Sequence, residues 1–210
     1  MKGKHGNPLY YSNVQSLFQT GETARTPIEL TGQGIEFRFP HSENGLHNFS
    51  FTLKSGQLVA IMGGSGVGKS TLLGLLNGNI KPQEGQILLN NHSIEDPLVQ
   101  KLIGFVPQDD LLIEELTVFQ NLWYTARLCF DGMSPEWLEN KVMEVLTGLG
   151  LAATRDLKVG SALNKTISGG QRKRLNIALA LIREPAVLFL DAPTSGLSSS
   201  ASEQVLNFLK

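Results

Sequence analysis

Gly63-Gly64-Ser65-Gly66-Val67-Gly68-Lys69-Ser70-Thr71 decides the reading of this chain, because it writes out a phosphate cradle in full. The stretch satisfies G-x-x-x-x-G-K-[ST]. It stands between an apolar run expected as a strand, Leu58 to Met62, and apolar positions of helical period at Leu72, Leu73, Leu75 and Leu76. Glycines let the backbone wrap an anion with its N–H groups turned inward. The helix that follows adds its positive end. In such a loop Lys69 reaches the β- and γ-phosphates, and Ser70 places a hydroxyl on Mg2+. A glycine-rich turn matching by chance is the bland alternative. The strand–loop–helix context argues against it, so the segment is read as a nucleoside triphosphate site.

At 210 residues the chain suits one domain with a real core. Lys+Arg 18 against Asp+Glu 19 gives a net charge of -1, so no basic excess makes nucleic acid the default partner. The single Cys129 has no partner for an internal disulfide. Its apolar, helical setting reads as an inert core thiol, in keeping with a reducing compartment. No apolar run is long enough to span a bilayer, and the N-terminus lacks a signal-peptide core. The chain is therefore read as soluble, with any membrane role supplied by a partner or a further segment.

Residues 1–33 read as a tail or linker that docks, if at all, through Leu9, Tyr10 and Tyr11. Alternation at Ile35–Phe39 and Asn48–Leu53 predicts two strands forming an antiparallel layer. Gln86–Leu89 and Ile103–Val106 read as further strands. Residues from about 111 to 168 turn to helical periodicity, a candidate helical subdomain with Ser134 as N-cap and Pro135 at the first helical position. A helix over 170–183 and a wholly apolar strand, Val187–Leu190, follow. An apolar run of that kind is expected of a parallel strand buried on both faces.

Two further segments carry chemistry. Asp191 ends that apolar strand at the sheet's carboxyl edge, where α/β folds place ligands. Its readings are a Mg2+-holding carboxylate and an ordinary turn-starting residue, and the phosphate loop upstream favours the first. Ser168-Gly169-Gly170-Gln171 opens a helix with bare backbone amides. It reads as a second anion site, or simply as a capped surface helix.

Taken together, these motifs closely resemble the nucleotide-binding domain of ATP-binding cassette (ABC) proteins over residues 34–210. Gly63–Thr71 matches the Walker A motif, Ser168–Gln171 the signature motif, and Val187–Asp191 the Walker B strand. Pro107-Gln108-Asp109-Asp110 fits the Q-loop and Ser195–Ser198 the D-loop. The stretches around Gln108 and around Arg172-Lys173-Arg174 look most like subfamily G (White-like) cassettes. The resemblance implies an α/β fold: a P-loop NTPase, RecA-like core with a mostly parallel sheet, an antiparallel β subdomain and an α-helical subdomain. It implies a head-to-tail homodimer around two ATP molecules, with Ser168 and Gly170 completing the partner's site. It also implies stacking of Phe39 on adenine (core packing being the alternative), a sensing role for Gln108, a membrane domain elsewhere, and a place on the cytoplasmic face.

The chain also departs from the family pattern. Ala192 stands where the family has the glutamate that polarises water, Ser198 occupies the D-loop aspartate position, and no histidine follows Asp191. The chain reads as a fragment of a longer protein, binding Mg-ATP but hydrolysing it slowly. Three functions compete: the motor subunit of a transporter, an ATP-gated dimerisation module without turnover, and a soluble cassette acting on nucleic acid. The near-neutral charge weighs against the last.

Overall fold

The structure, a computed structural model, describes residues 27–42, 44–161, 166–195 and 198–208. The proposed docking residues Leu9, Tyr10 and Tyr11 lie outside them, as do Gly196 and Leu197 of the D-loop position.

The first half builds an antiparallel sheet of order β2-β1-β3-β4, from Glu29–Arg38 (β1), Gly45–Lys54 (β2), Glu84–Leu89 (β3) and His92–Ser93 (β4). Strand β1 lies between its two long partners, with Leu30 opposite both Leu53 and Leu89. It begins at Glu29, well before the expected start at Ile35. Thr31-Gly32-Gln33-Gly34 breaks the apolar alternation, and the register shifts between Gly32 and Ile35, so the first half was hidden from a pattern reading. Gly32 is needed there: a Cβ would sit 2.1 Å from the Phe51 ring.

A second, parallel sheet joins Ile103–Val106 (β5) to Val187–Leu190 (β6), paired from Ile103↔Val187 to Val106↔Leu190. The expected strand Leu58–Met62 belongs to neither sheet. Among the described residues no ladder pairs it, and Leu58 is 61% and Met62 88% exposed. Among the described residues the parallel part is the pair β5 and β6, within the α/β fold expected. Apolar composition makes a segment fit to be a strand, but only a neighbouring backbone makes it one. Strand β6 also differs from expectation, since Phe189 is buried while its neighbours are half-buried.

Among the described residues six α-helices complete the order: Lys69–Leu76 (α1), Pro97–Gln100 (α2), Val118–Cys129 (α3), Pro135–Gly148 (α4), Gly169–Leu181 (α5) and Ser199–Phe208 (α6). Ser134 caps α4 by accepting from the Trp137 amide, with Pro135 in the first turn, as the sequence indicates. Two hydrophobic clusters form. One gathers Val118, Leu122, Val142, Leu146, Leu175 and Ile182 from α3, α4 and α5 with its C-cap. The other gathers Leu30, Ile35 and Leu89 from the antiparallel sheet, Leu75 from α1 and Leu102 from the turn before β5. The parallel strands lie between them: Val106, Leu188 and Leu190 pack on the helical cluster, and Ile103, Phe105 and Phe189 on the other. Their carboxyl ends therefore emerge where the two cores meet.

Candidate functional site

The loop ahead of α1 adopts the conformation its glycines permit. Gly66 and Gly68 have φ of 78° and 95°, and nothing stands within 4 Å of where a Cβ would be at either. Gly68 is the N-cap of α1, and no side chain caps the helix. Its first-turn amides thus lack a side-chain acceptor, which an anion can supply. The Lys69 ammonium folds back over the loop, donating to the carbonyls of Gly63 (3.0 Å) and Gly64 (2.6 Å). Ser70, Thr71, Ser65 and Val67 follow the same turn, Ser70 and Val67 being exposed. Phe39 is 43% exposed, and its ring meets Phe37 edge-on at 5.2 Å, which leaves ring surface open to stacking.

A second constellation forms at the carboxyl ends of β5 and β6. Parallel pairing brings Gln108 and Asp191 out at the same edge, and the Asp191 amide donates to the Val106 carbonyl at 2.9 Å. Ala192 follows with φ 48°, a left-handed conformation unusual for a residue with a Cβ, and its carbonyl accepts from the Ser195 amide.

Helix α5 closes onto this edge. At its start Ser168 and Gln171 form a capping box: the Gln171 amide donates to Ser168 Oγ (3.2 Å), and the Ser168 amide donates to Gln171 Oε1 (2.7 Å). Ser168 Oγ accepts in that box, so its proton remains available to a further acceptor. Gly169 is exposed, with open space around it. One turn on, Arg172 forks onto Asp110, while Lys173 and Asn176 bond the main chain of residues 107–111. Sequence reasoning did not foresee these contacts, although a signal was present. Three consecutive cations, Arg172 to Arg174, in the first turns of a helix oppose the dipole unless they have partners. The bonds that gather Gln108, Asp191 and α5 do not include the phosphate loop.

Ser70, Asp191 and Gln108 carry hydroxyl, carboxylate and carboxamide oxygens, hard donors of the kind magnesium takes. Among the described residues no three His, Cys, Asp or Glu side chains cluster as a metal cage.

An α/β domain with a glycine-lined anion loop at the head of a helix defines a P-loop nucleotide-binding protein. The ABC transporter family model matches residues 46–195. ABC transporter G family member 28 of Arabidopsis thaliana is 44% identical over 161 residues, covering 75% of this chain and 14% of that protein. Member 23 from the same plant is 36% identical over 212 residues, covering 97% and 34%. Among solved structures, a dimeric ATP-binding cassette in a post-hydrolysis state, bound to ADP and Pi, superposes with a TM-score of 0.73 at 30% identity, covering 86% of this chain and 81% of that one. The chain belongs to the ABC transporter family, as an ATP-binding cassette of the G subfamily, and is by family an ABC-type ATPase. It spans only 14% and 34% of the length of these two curated plant relatives. Among the described residues no helix is long and apolar enough to cross a membrane.

Proposed function

We propose that this chain binds Mg-ATP and, in a head-to-tail pair of cassettes, drives a membrane domain from the cytoplasmic face. The observation that carries the reading is the phosphate loop: open glycines, a helix start without a side-chain cap, and one ammonium folded across the loop. The amides of Gly64 to Ser70 cradle the phosphates, and Lys69 moves from the loop carbonyls onto the β- and γ-phosphates. Ser70 and Asp191, joined by Gln108, hold magnesium, which when bound neutralises phosphate charge. Phe39 stacks on the adenine. Ser168, Gly169, Gly170 and Gln171 present neutral donors to the γ-phosphate of the partner's nucleotide, a site that needs no lysine because Lys69 already supplies the charge. Gln108 registers the phosphate and passes its state to the helical region at 111–168.

Hydrolysis is slow in this reading, because Ala192 offers no proton acceptor to a water. Loss of a general base costs about 10²–10⁴-fold in rate while ground-state contacts persist. The same observation favours a second reading, a dimerisation switch that binds ATP without turnover. Calorimetry on Lys69→Ala tests the binding site, and loss of magnesium nucleotide binding is the expected result. Single-turnover hydrolysis of the chain beside Ala192→Glu tests the impaired motor: a faster variant supports it, and equal rates remove the idea that position 192 limits chemistry, while nucleotide-dependent dimerisation without ATPase favours the switch.

A further inference from the structure

Lys173 is 9% exposed, on the second turn of α5, and its ammonium is spent on main-chain carbonyls. It donates to Gln108 at 3.1 Å, Pro107 at 3.4 Å and Asp191 at 3.5 Å. Burial pushes its pKa down, in spite of the nearby carboxylates of Asp191, Asp109 and Asp110. A charge held at that cost is not needed to fill space, which an apolar side chain of the same length fills without desolvation.

The placement gives it a task. The ladder between β5 and β6 ends at Val106↔Leu190, and the amide of Asp191 to the carbonyl of Val106 is its outermost bond. Past that point Gln108 and Asp191 leave the sheet, and Lys173 grips the backbone of both. Asn176, one turn further along α5, steadies the same loop, bonding the Pro107 carbonyl and the Leu111 amide.

We propose that Lys173 is a positioning residue for magnesium nucleotide, fixing the separation of Gln108 and Asp191 so that their side chains converge on one ion. The proposal rests on the Mg-ATP reading above. Partners behind a metal's ligands set the ligands' geometry, and their removal typically weakens metal binding by about 10–100-fold. The same ammonium ties that separation to the position of α5, whose first residues face the other nucleotide in the paired arrangement.

The test is calorimetric ATP binding by the full chain, once with magnesium and once in EDTA, with urea unfolding as the folding control. For Lys173→Met, metal-free affinity is expected to stay within about twofold, while the tightening brought by magnesium falls by about tenfold or more. Lys173→Arg, which keeps a cation with several donors, retains most of that tightening. Should Lys173→Met fail to fold, Lys173→Gln carries the same comparison. An unchanged magnesium effect overturns the proposal. An equal loss with and without the metal also overturns it, since that marks a strut. Wild-type chain that binds ATP no better with magnesium removes the underlying Mg-ATP reading, and the proposal with it.

Discussion

Asp110 and Arg172, 62 positions apart, meet in a two-pronged ion pair: Arg172 Nε lies 2.9 Å from Asp110 Oδ2, and Nη2 lies 3.0 Å from Oδ1. The guanidinium also donates to the carbonyls of Val159 and Gly160, so one side chain joins the loop after β5, the segment before α5 and α5 itself. The bond to Asp110 holds its pKa above the ordinary value even against burial.

Removing Arg172 strands two carbonyls and a carboxylate, whereas removing Asp110 leaves the guanidinium its carbonyl partners. Arg172→Ala is therefore expected to cost about 3 kcal/mol and Asp110→Ala about half of that. The double variant should cost less than the sum. Urea unfolding of the four proteins measures all three quantities, and equal costs for the two single variants would contradict the asymmetry.

The serine at 168 has two duties that substitution can separate. Its oxygen caps α5, a role alanine abolishes at about 1 kcal/mol but glycine fills to within a few tenths. Its proton, on the proposed reading, goes to the partner's nucleotide, which neither replacement can supply. Ser168→Gly is thus expected to unfold close to wild type yet to lose ATP-driven dimerisation, followed by light scattering. Thr117, which forms the equivalent capping box on α3, is the control. Thr117→Ala should lose similar stability while leaving nucleotide-dependent association intact.

Motifs whose function depends on local backbone were legible in the sequence, and features that depend on distant pairing were not. The loop at 63–71, the caps at Ser134 and Ser168 and the strand at Val187–Leu190 follow from short-range rules of glycine, proline and period. The apolar stripe Val142, Val145, Leu146 and Leu149 is likewise buried as its spacing dictates. The clamp of Arg172, Lys173 and Asn176 joins residues more than sixty positions apart, and the run of cations signals that partners are needed without saying which residues supply them. Leu58–Met62 shows the converse: its composition is that of a strand, but pairing is decided elsewhere.

That contrast predicts a difference between two leucines of the same region. Leu75 on α1 is fully buried in the sheet-side cluster, while Leu58 is largely exposed. Leu75→Ala is expected to cost about 3 kcal/mol through lost burial and the cavity left behind. Leu58→Ala should stay within about 0.5 kcal/mol. Amide hydrogen exchange gives an independent check, since residues 58–62 should exchange much faster than the paired β5. Strong protection there would show that these residues are paired in solution.

Lys141 supplies the pH-dependent term. Its ammonium lies 2.6 Å from Glu184 and 3.4 Å from Glu144, joining α4 to the turn before β6. Burial pulls its pKa down, but the bond and charge of Glu184, with help from Glu144, outweigh this and leave it above the ordinary 10.5. A folded-state pKa above the unfolded one means that the protonated form is stabilised by folding. The contribution is therefore complete below the unfolded value and disappears as pH rises through the folded one. Because Glu184 is half-exposed, the pair is expected to contribute only about 0.5–1 kcal/mol. Lys141→Met keeps the packing of the stem and removes the charge. Its stability deficit in urea should be the same at pH 7 and pH 9 and should shrink above about pH 10.5. A deficit that persists unchanged into that alkaline range would assign the effect to packing and not to the ion pair.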